Sequence, residues 1–189
     1  TLGSLRRYMW RDAQVISNSV RFDKNYIQLN RGSAQGIKDN MAVISSDLYT
    51  VGVVVNVSDN FSQVMSLLHV QSQVSSSLKR TGEIGNLSWK SKDPSYLTLT
   101  EIPQNVEVKK GDTIVTSRYS DKFPPGYMIG TVDDIAIEKS TGTYVLKIKT
   151  AVNFYNLQQV YVVENLIRGE QVQLDRDTKK KVEQPKTTK

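Results

Sequence analysis

Turn-forming residues return along most of this chain at roughly the 8–12-residue spacing of a sandwich or barrel, with short β-branched or alternating runs between them. That cadence leaves almost no room for long helices and sets an all-β fold class. The strongest single run is Val51-Gly52-Val53-Val54-Val55-Asn56-Val57, whose valines at 51, 53, 55 and 57 share one face at the period of a strand, with Val54 between Gly52 and Asn56. Tyr26 to Asn30 alternates, with Ile27 and Leu29 on one side. Met41 to Ile44, Gln63 to Leu68 and Val74 to Lys79 complete a first series.

A second series starts near Gly82. Leu87 and Trp89 alternate, as do Leu97 and Leu99 against Thr98 and Thr100. Ile114-Val115-Thr116 follows the Gly111-Asp112 turn, and Met128 to Val132 holds Gly130, which permits a bend or a close approach. Tyr144 to Lys149 turns Leu146 and Ile148 inward and two lysines outward, and Val160 to Val163 ends the series. With about six strands, each half is near the lower size limit for burying its own core. Two small β-barrel domains packed together answer that limit, over 13–79 and 80–167, with the boundary between Leu78 and Gly85. A strand from one half can also complete the other.

Both ends depart from this pattern. Leu2, Leu5, Met9 and Trp10 have near-helical spacing, so residues 1–12 are expected to be the end of an upstream helix or coiled coil, or a frayed terminus. Residues 168–189 lack the apolar groups that offset ordering entropy and are expected to form a flexible basic tail. The first residue is Thr1, as in a fragment of a longer protein.

The formal charge of +6 follows the same division. Residues 1–12 hold three arginines and one acid, and residues 168–189 hold seven basic and four acidic residues. A nucleic-acid-binding fold concentrates its charge on the folded body. Here the body between is close to neutral, and solvated ends account for the basic character. The chain has no cysteine, which removes disulfides, thiolate metal sites and thiol catalysis together. No apolar run approaches the ~20 residues of a membrane helix.

Catalytic constellations are scarce. His69 is the one histidine; a serine hydrolase would need it beside a nucleophile in a strained turn and an orienting carboxylate, and no Gly-x-Ser-x-Gly elbow occurs. Ser75, Ser76 and Ser77 fit a polar strand edge. One histidine and no cysteine do not make a zinc site without several carboxylates, and the adjacent pair Asp133-Asp134, on successive strand residues, would converge on one ion only at a bulge. The Gly32 to Gly36 loop lacks the Gly-Lys-Ser/Thr of a phosphate cradle, and Lys110-Gly111-Asp112 is a turn before it is an adhesion tripeptide. No catalytic residue, cofactor site or metal site is expected.

Several segments, in order, resemble the rod-shape-determining protein MreC family. Ala13 to Ile16, Asn30-Arg31-Gly32-Ser33-Ala34-Gln35-Gly36-Ile37, Met41 to Ser45, Val51 to Val54, Asn60 to Val64 and Leu67 to His69 are similar to its first part. Gly111-Asp112-Thr113-Ile114-Val115-Thr116-Ser117, Phe123-Pro124-Pro125-Gly126, Ile129 to Val132 and Val160 to Asn165 are similar to its second. Arg118-Tyr119 departs from the pattern, standing where the family usually has a glycine, and the lysine-rich end beyond 168 matches nothing in it. The resemblance implies two small extracytoplasmic β-barrels following an upstream membrane helix and coiled coil, on the periplasmic face of the bacterial inner membrane. It also implies no enzymatic activity, a role in rod shape and lateral wall growth, self-association, and contact with a penicillin-binding transpeptidase and with membrane and cytoskeletal shape proteins.

On that basis the chain is expected to be a scaffold with a groove between its barrels and exposed strand edges. Aromatic side chains are favoured contacts, since a ring covers much area at small entropic cost. Phe123, Tyr127, Tyr119 and Phe154 are the expected partner-binding residues. Two rivals are a two-barrel hydrolase using His69 and a polyanion-binding β-barrel protein suggested by the pI near 9.4.

Overall fold

Six strands close into each of two barrels in the computed structural model, which describes residues 7–183. The strands are β1 (Tyr8–Asn18), β2 (Lys24–Leu29), β3 (Ala42–Ser45), β4 (Thr50–Val57), β5 (Ser62–His69), β6 (Gln73–Leu78), β7 (Ile84–Ser88), β8 (Tyr96–Pro103), β9 (Thr113–Thr116), β10 (Met128–Glu138), β11 (Thr143–Thr150) and β12 (Gln159–Asn165). One helix follows, α1 (Arg168–Glu183). The first barrel runs β1-β12-β3-β4-β5-β2 and the second β10-β11-β8-β7-β6-β9. Neighbouring strands are antiparallel throughout, both those joined by short hairpins, such as β3–β4 and β10–β11, and those brought together from distant parts of the chain, such as β1–β12 and β2–β5.

The two barrels agree with the all-β expectation; the division of the chain between them does not follow the expected line at 79–80. β6 pairs with β7 and β9 and belongs to the second barrel, while β12, at the far end of the sequence, fills the gap between β1 and β3. The second barrel is thus inserted into the first. Residues 70–72 lead out to it and residues 151–158 lead back. Alternation marks a strand but not its partner, so the pattern alone left this exchange undecided.

Each barrel has its own filled interior. Ile27, Leu29, Ile44, Val64 and Leu68 are fully buried in the first, and Leu78, Leu97, Leu99, Ile114, Leu146 and Ile148 in the second. Full burial of each such side chain contributes about 1.5–3 kcal/mol. The valine run of β4 behaves differently from its simple alternation. Register shifts between Val43/Ile44 and their partners, and again between Val54 and Asn56, leave Val51 and Val55 as bulge residues. The parity of the strand flips, so Val54 is buried and Val55 is exposed.

Two corrections concern the ends. Tyr8 to Asp12 form the start of β1, paired in register with Asn165 to Tyr161, where a helix remnant is expected. Backbone pairing to β12 overrides a helical spacing too short to stand alone. Leu2 and Leu5 lie outside the described residues. Residues 168–183 form α1 where a flexible tail is expected, and residues 184–189 lie outside the described part. α1 buries none of its residues. It is held by Glu170 in its first turn and Lys180 and Lys181 in its last, complementary to the helix dipole, and by a Gln173 to Asp177 hydrogen bond of 3.0 Å. Its three apolar side chains, Val172, Leu174 and Val182, recur at no i, i+3 or i+4 spacing, so there is no apolar period to find.

Candidate functional site

The barrels meet along the start of β1, the end of β12 and the loop that leads into β10. Trp10 of β1 stacks against Tyr127 at 5.6 Å and against Tyr161 of β12 at 5.7 Å, the second edge to face. Burial, reinforced by Tyr8, pushes the Tyr127 hydroxyl above its ordinary pKa. A parallel bridge between Tyr49, just ahead of β4, and Met128, the first residue of β10, joins the two backbones. Nearby, the Asp121 carbonyl accepts from the Asn165 amide at 2.9 Å, and its carboxylate accepts from Arg168 Nε at 2.8 Å.

The loop 117–127 is shaped from beneath by two hydroxyls. Thr116 Oγ1 donates to the Pro124 carbonyl at 2.7 Å and accepts from the Tyr127 N–H at 2.9 Å. Ser117 Oγ lies 2.7 Å from Ser75 Oγ and accepts from the Tyr119 N–H at 3.2 Å. Gly126, at φ 88°, supplies the left-handed backbone that closes this loop onto the Thr116 carbonyl.

The four expected contact residues separate accordingly. Phe123 and Phe154 are each only 2% exposed, so their rings are core and cannot be the contact surface. Phe123 is drawn inward by the Thr116–Pro124 bond beside it, and Phe154 anchors a 3-10 turn capped by Asn153. Tyr127 is half-buried in the barrel junction. Tyr119 alone of the four stands out, 69% exposed, with the Arg118 guanidinium 5.1 Å from its ring centre. Sequence reasoning missed Trp10 and Tyr161, whose roles depend on the β1–β12 pairing, and the exposed aromatics Phe22, Phe61 and Tyr155. Lone turn aromatics carry no pattern that separates outward from inward.

Closure of both barrels removes the expected strand edges along most of their length. β10 beyond Val132 is one open stretch, pairing with β11 but running past its β9 partner and carrying the exposed Ile137; the start of β1, paired with β12 alone over Tyr8 to Ala13, is another.

His69 is fully buried at the end of β5. Its Nδ1 accepts the Gln71 N–H at 3.0 Å and its Nε2 lies 3.1 Å from the Tyr26 hydroxyl. Nδ1 thus holds the turn that leaves the first barrel while Nε2 faces β2, so both ring nitrogens are engaged within the protein. Burial, with Lys24 nearby, holds its pKa below the usual histidine value. Among the described residues no group of three His, Asp or Glu side chains is placed to hold a metal ion. No described helix is long and apolar enough to cross a membrane.

Comparison with known proteins places this geometry. The family model for the rod shape-determining protein MreC, barrel core, matches residues 15–164. The cell shape-determining protein MreC of Listeria monocytogenes is 27% identical over 163 residues, spanning 85% of this chain and 55% of that protein. The chain therefore spans about half the length of that relative. A solved structure of the Listeria monocytogenes MreC superposes with a TM-score of 0.76 at 28% identity, covering 86% of this chain and 78% of that one. Two further structures share the fold. One is the major periplasmic domain of the cell shape-determining filament MreC, with a TM-score of 0.71, 19% identity and coverage of 86% and 99%. The other, from Helicobacter pylori, comes from a complex between penicillin-binding protein (PBP2) and MreC, with a TM-score of 0.65, 16% identity and coverage of 84% and 99%.

Proposed function

The chain belongs to the rod shape-determining MreC family, whose barrel core it carries over residues 15–164, and on that premise we propose that it is a non-enzymatic scaffold of cell elongation. It works on the periplasmic face of the inner membrane, self-associates, and binds a penicillin-binding transpeptidase together with membrane and cytoskeletal shape proteins. The relative solved in complex with a penicillin-binding protein and the relative described as a filament support those two kinds of contact. The observation that carries the reading is the barrel junction. Two closed barrels are held by two chain crossings and by the Trp10, Tyr127 and Tyr161 rings, a rigid body suited to presenting surfaces.

Tyr119 is the contact residue proposed for the transpeptidase, because its ring is exposed while its backbone is fixed through Ser117. The β10 segment past Val132 is the proposed self-association edge. Biolayer interferometry against a purified penicillin-binding transpeptidase tests the first point. Tyr119→Ala is expected to weaken binding about tenfold or more, as for an exposed aromatic anchor of roughly 1.4 kcal/mol. Sedimentation over a concentration series tests the second. A chain that binds no transpeptidase and stays monomeric at every concentration would overturn the scaffold reading.

A further inference from the structure

A cleft of about 370 Å³ opens between the β3–β4 turn and the 151–158 crossover, within the ~300–1,000 Å³ range of small-ligand sites. Its polar lining comes from Ser46, Asp47, Asn153, Asn156, Gln158 and Gln159. All six are exposed and near one another only because the crossover returns to the first barrel here. Their internal hydrogen bonds fix which atoms remain free. Asn153 Oδ1 accepts the Tyr155 N–H at 3.1 Å, which leaves its amide NH2. Gln158 Nε2 donates to Asn156 Oδ1 at 3.2 Å, which leaves the Asn156 NH2 and the Gln158 carbonyl oxygen. The Asp47 carboxylate and the Ser46 hydroxyl add an acceptor and a donor–acceptor.

We propose that this cleft binds an uncharged oligosaccharide bearing N-acetyl groups. Planar amides offering donors and acceptors side by side match sugar hydroxyls, which both give and take hydrogen bonds. The lining has no lysine or arginine and one carboxylate, so phosphates, nucleotides and acidic peptides are disfavoured. Leu157, half-buried at the floor of the cleft, adds apolar surface suited to an acetamido methyl group. Beyond the 151–153 ribbon lies a second depression of about 290 Å³, which shares Ala151, Val152 and Asn153 with the first, carries one cation, Lys149, at its rim and ends on Tyr155. Tyr155 is 66% exposed, a platform on which the C–H face of a pyranose can stack. Two depressions sharing one ribbon fit a chain of sugars better than a single ring. The turn that presents Ser46 and Asp47 is strained, with Leu48 at φ 65°, a conformation found disproportionately at ligand sites.

The probe is tetra-N-acetylchitotetraose, titrated into the isotope-labelled chain and followed by amide shifts. Shifts confined to residues 45–49 and 151–159, saturating with Kd near or below about 1 mM, are expected. Asp47→Ala and Asn156→Ala each alter an exposed side chain that no core contact uses, and each is expected to weaken the titration about fivefold or more. Tyr155→Ala provides a third variant at the neighbouring depression with the same expected direction. Absence of shifts at about 10 mM probe, shifts elsewhere, titrations unchanged in all three variants, or the same shifts with inorganic phosphate would each overturn the assignment.

Discussion

The indole of Trp10 lies 5.6 Å from the phenol ring of Tyr127 with their planes inclined by 51°, so a strand of one barrel packs directly on the entry to a strand of the other. Tyr161 closes the other side of the indole at 72°. Tyr127 reaches this position because the Thr116 hydroxyl holds its backbone N–H.

Trp10→Ala removes the shared ring from both contacts. Each tilted aromatic pair adds roughly 0.5–1.5 kcal/mol beyond area burial, and the side chain is half-buried, so a loss of about 2 kcal/mol is expected. Urea unfolding measures it. Small-angle scattering is expected to show a wider spread of barrel orientations, while Tyr127→Phe, which keeps the ring, leaves both readouts close to the parent.

Gly130→Ala tests the tightest strand crossing. A Cβ there would land on the Lys149 carbonyl oxygen, a backbone atom that cannot swing away. Destabilisation of about 3 kcal/mol or more is expected, the scale of severe core overpacking. Gly111→Ala has open space around its Cβ and suffers mainly from its φ of 87°, with an expected cost of about 1 kcal/mol. Thermal melts of the two variants are expected to keep that order.

His69 makes the first barrel's exit sensitive to acid. Burial and Lys24 depress its pKa in the folded chain relative to the unfolded one. Above the ordinary histidine value near 6.5 the ring is neutral in both states. As pH falls below that value the unfolded chain takes up the proton first, so stability drops and stays lower once the folded pKa is passed. Protonation also removes the Nδ1 lone pair that accepts the Gln71 N–H. Chemical denaturation at pH 7.5 and pH 5 is expected to show this loss, and His69→Gln to flatten it while lowering stability at pH 7.5 by about 1–3 kcal/mol.

Asp121 anchors α1. Its carboxylate meets Arg168 Nε at 2.8 Å, and both side chains are partly exposed, so Asp121→Ala is expected to cost only about 0.2–1 kcal/mol globally. The local effect is larger in proportion, because a sixteen-residue helix without buried residues is marginal alone. Hydrogen exchange of amides 171–183 is expected to quicken in the variant, with the barrel amides unchanged.

The sheets were legible wherever one face alone is buried. Ile27 and Leu29 in β2, and Leu146 and Ile148 in β11, sit inward as their alternation requires. The start of β1 was not legible, because Met9 and Trp10 have no strand period until β12 aligns with them, whereas Ala13 to Ile16 in the same strand were picked out by resemblance. α1 was hidden for the opposite reason: it has no apolar face at all. The exposure of the proposed contact residues was only partly legible. Tyr119 projects as an exposed ring, whereas the burial of Phe123 depends on the Thr116 to Pro124 hydrogen bond, formed across a loop whose shape no residue pattern encodes.

Because the second barrel is inserted between β5 and β12, the chain enters and leaves the first barrel on adjacent antiparallel strands, and the Leu166 N–H still reaches the Arg7 carbonyl at 2.8 Å. Tension applied at these two points would peel β1 from β12 one rung at a time, a weak unzipping geometry. The inserted barrel would stay outside that line of force until its host had opened. A pull between residue 8 and the inserted barrel would instead run through the 70–72 and 151–158 crossings in parallel, so the molecule is mechanically compliant along one axis and stiff along the other.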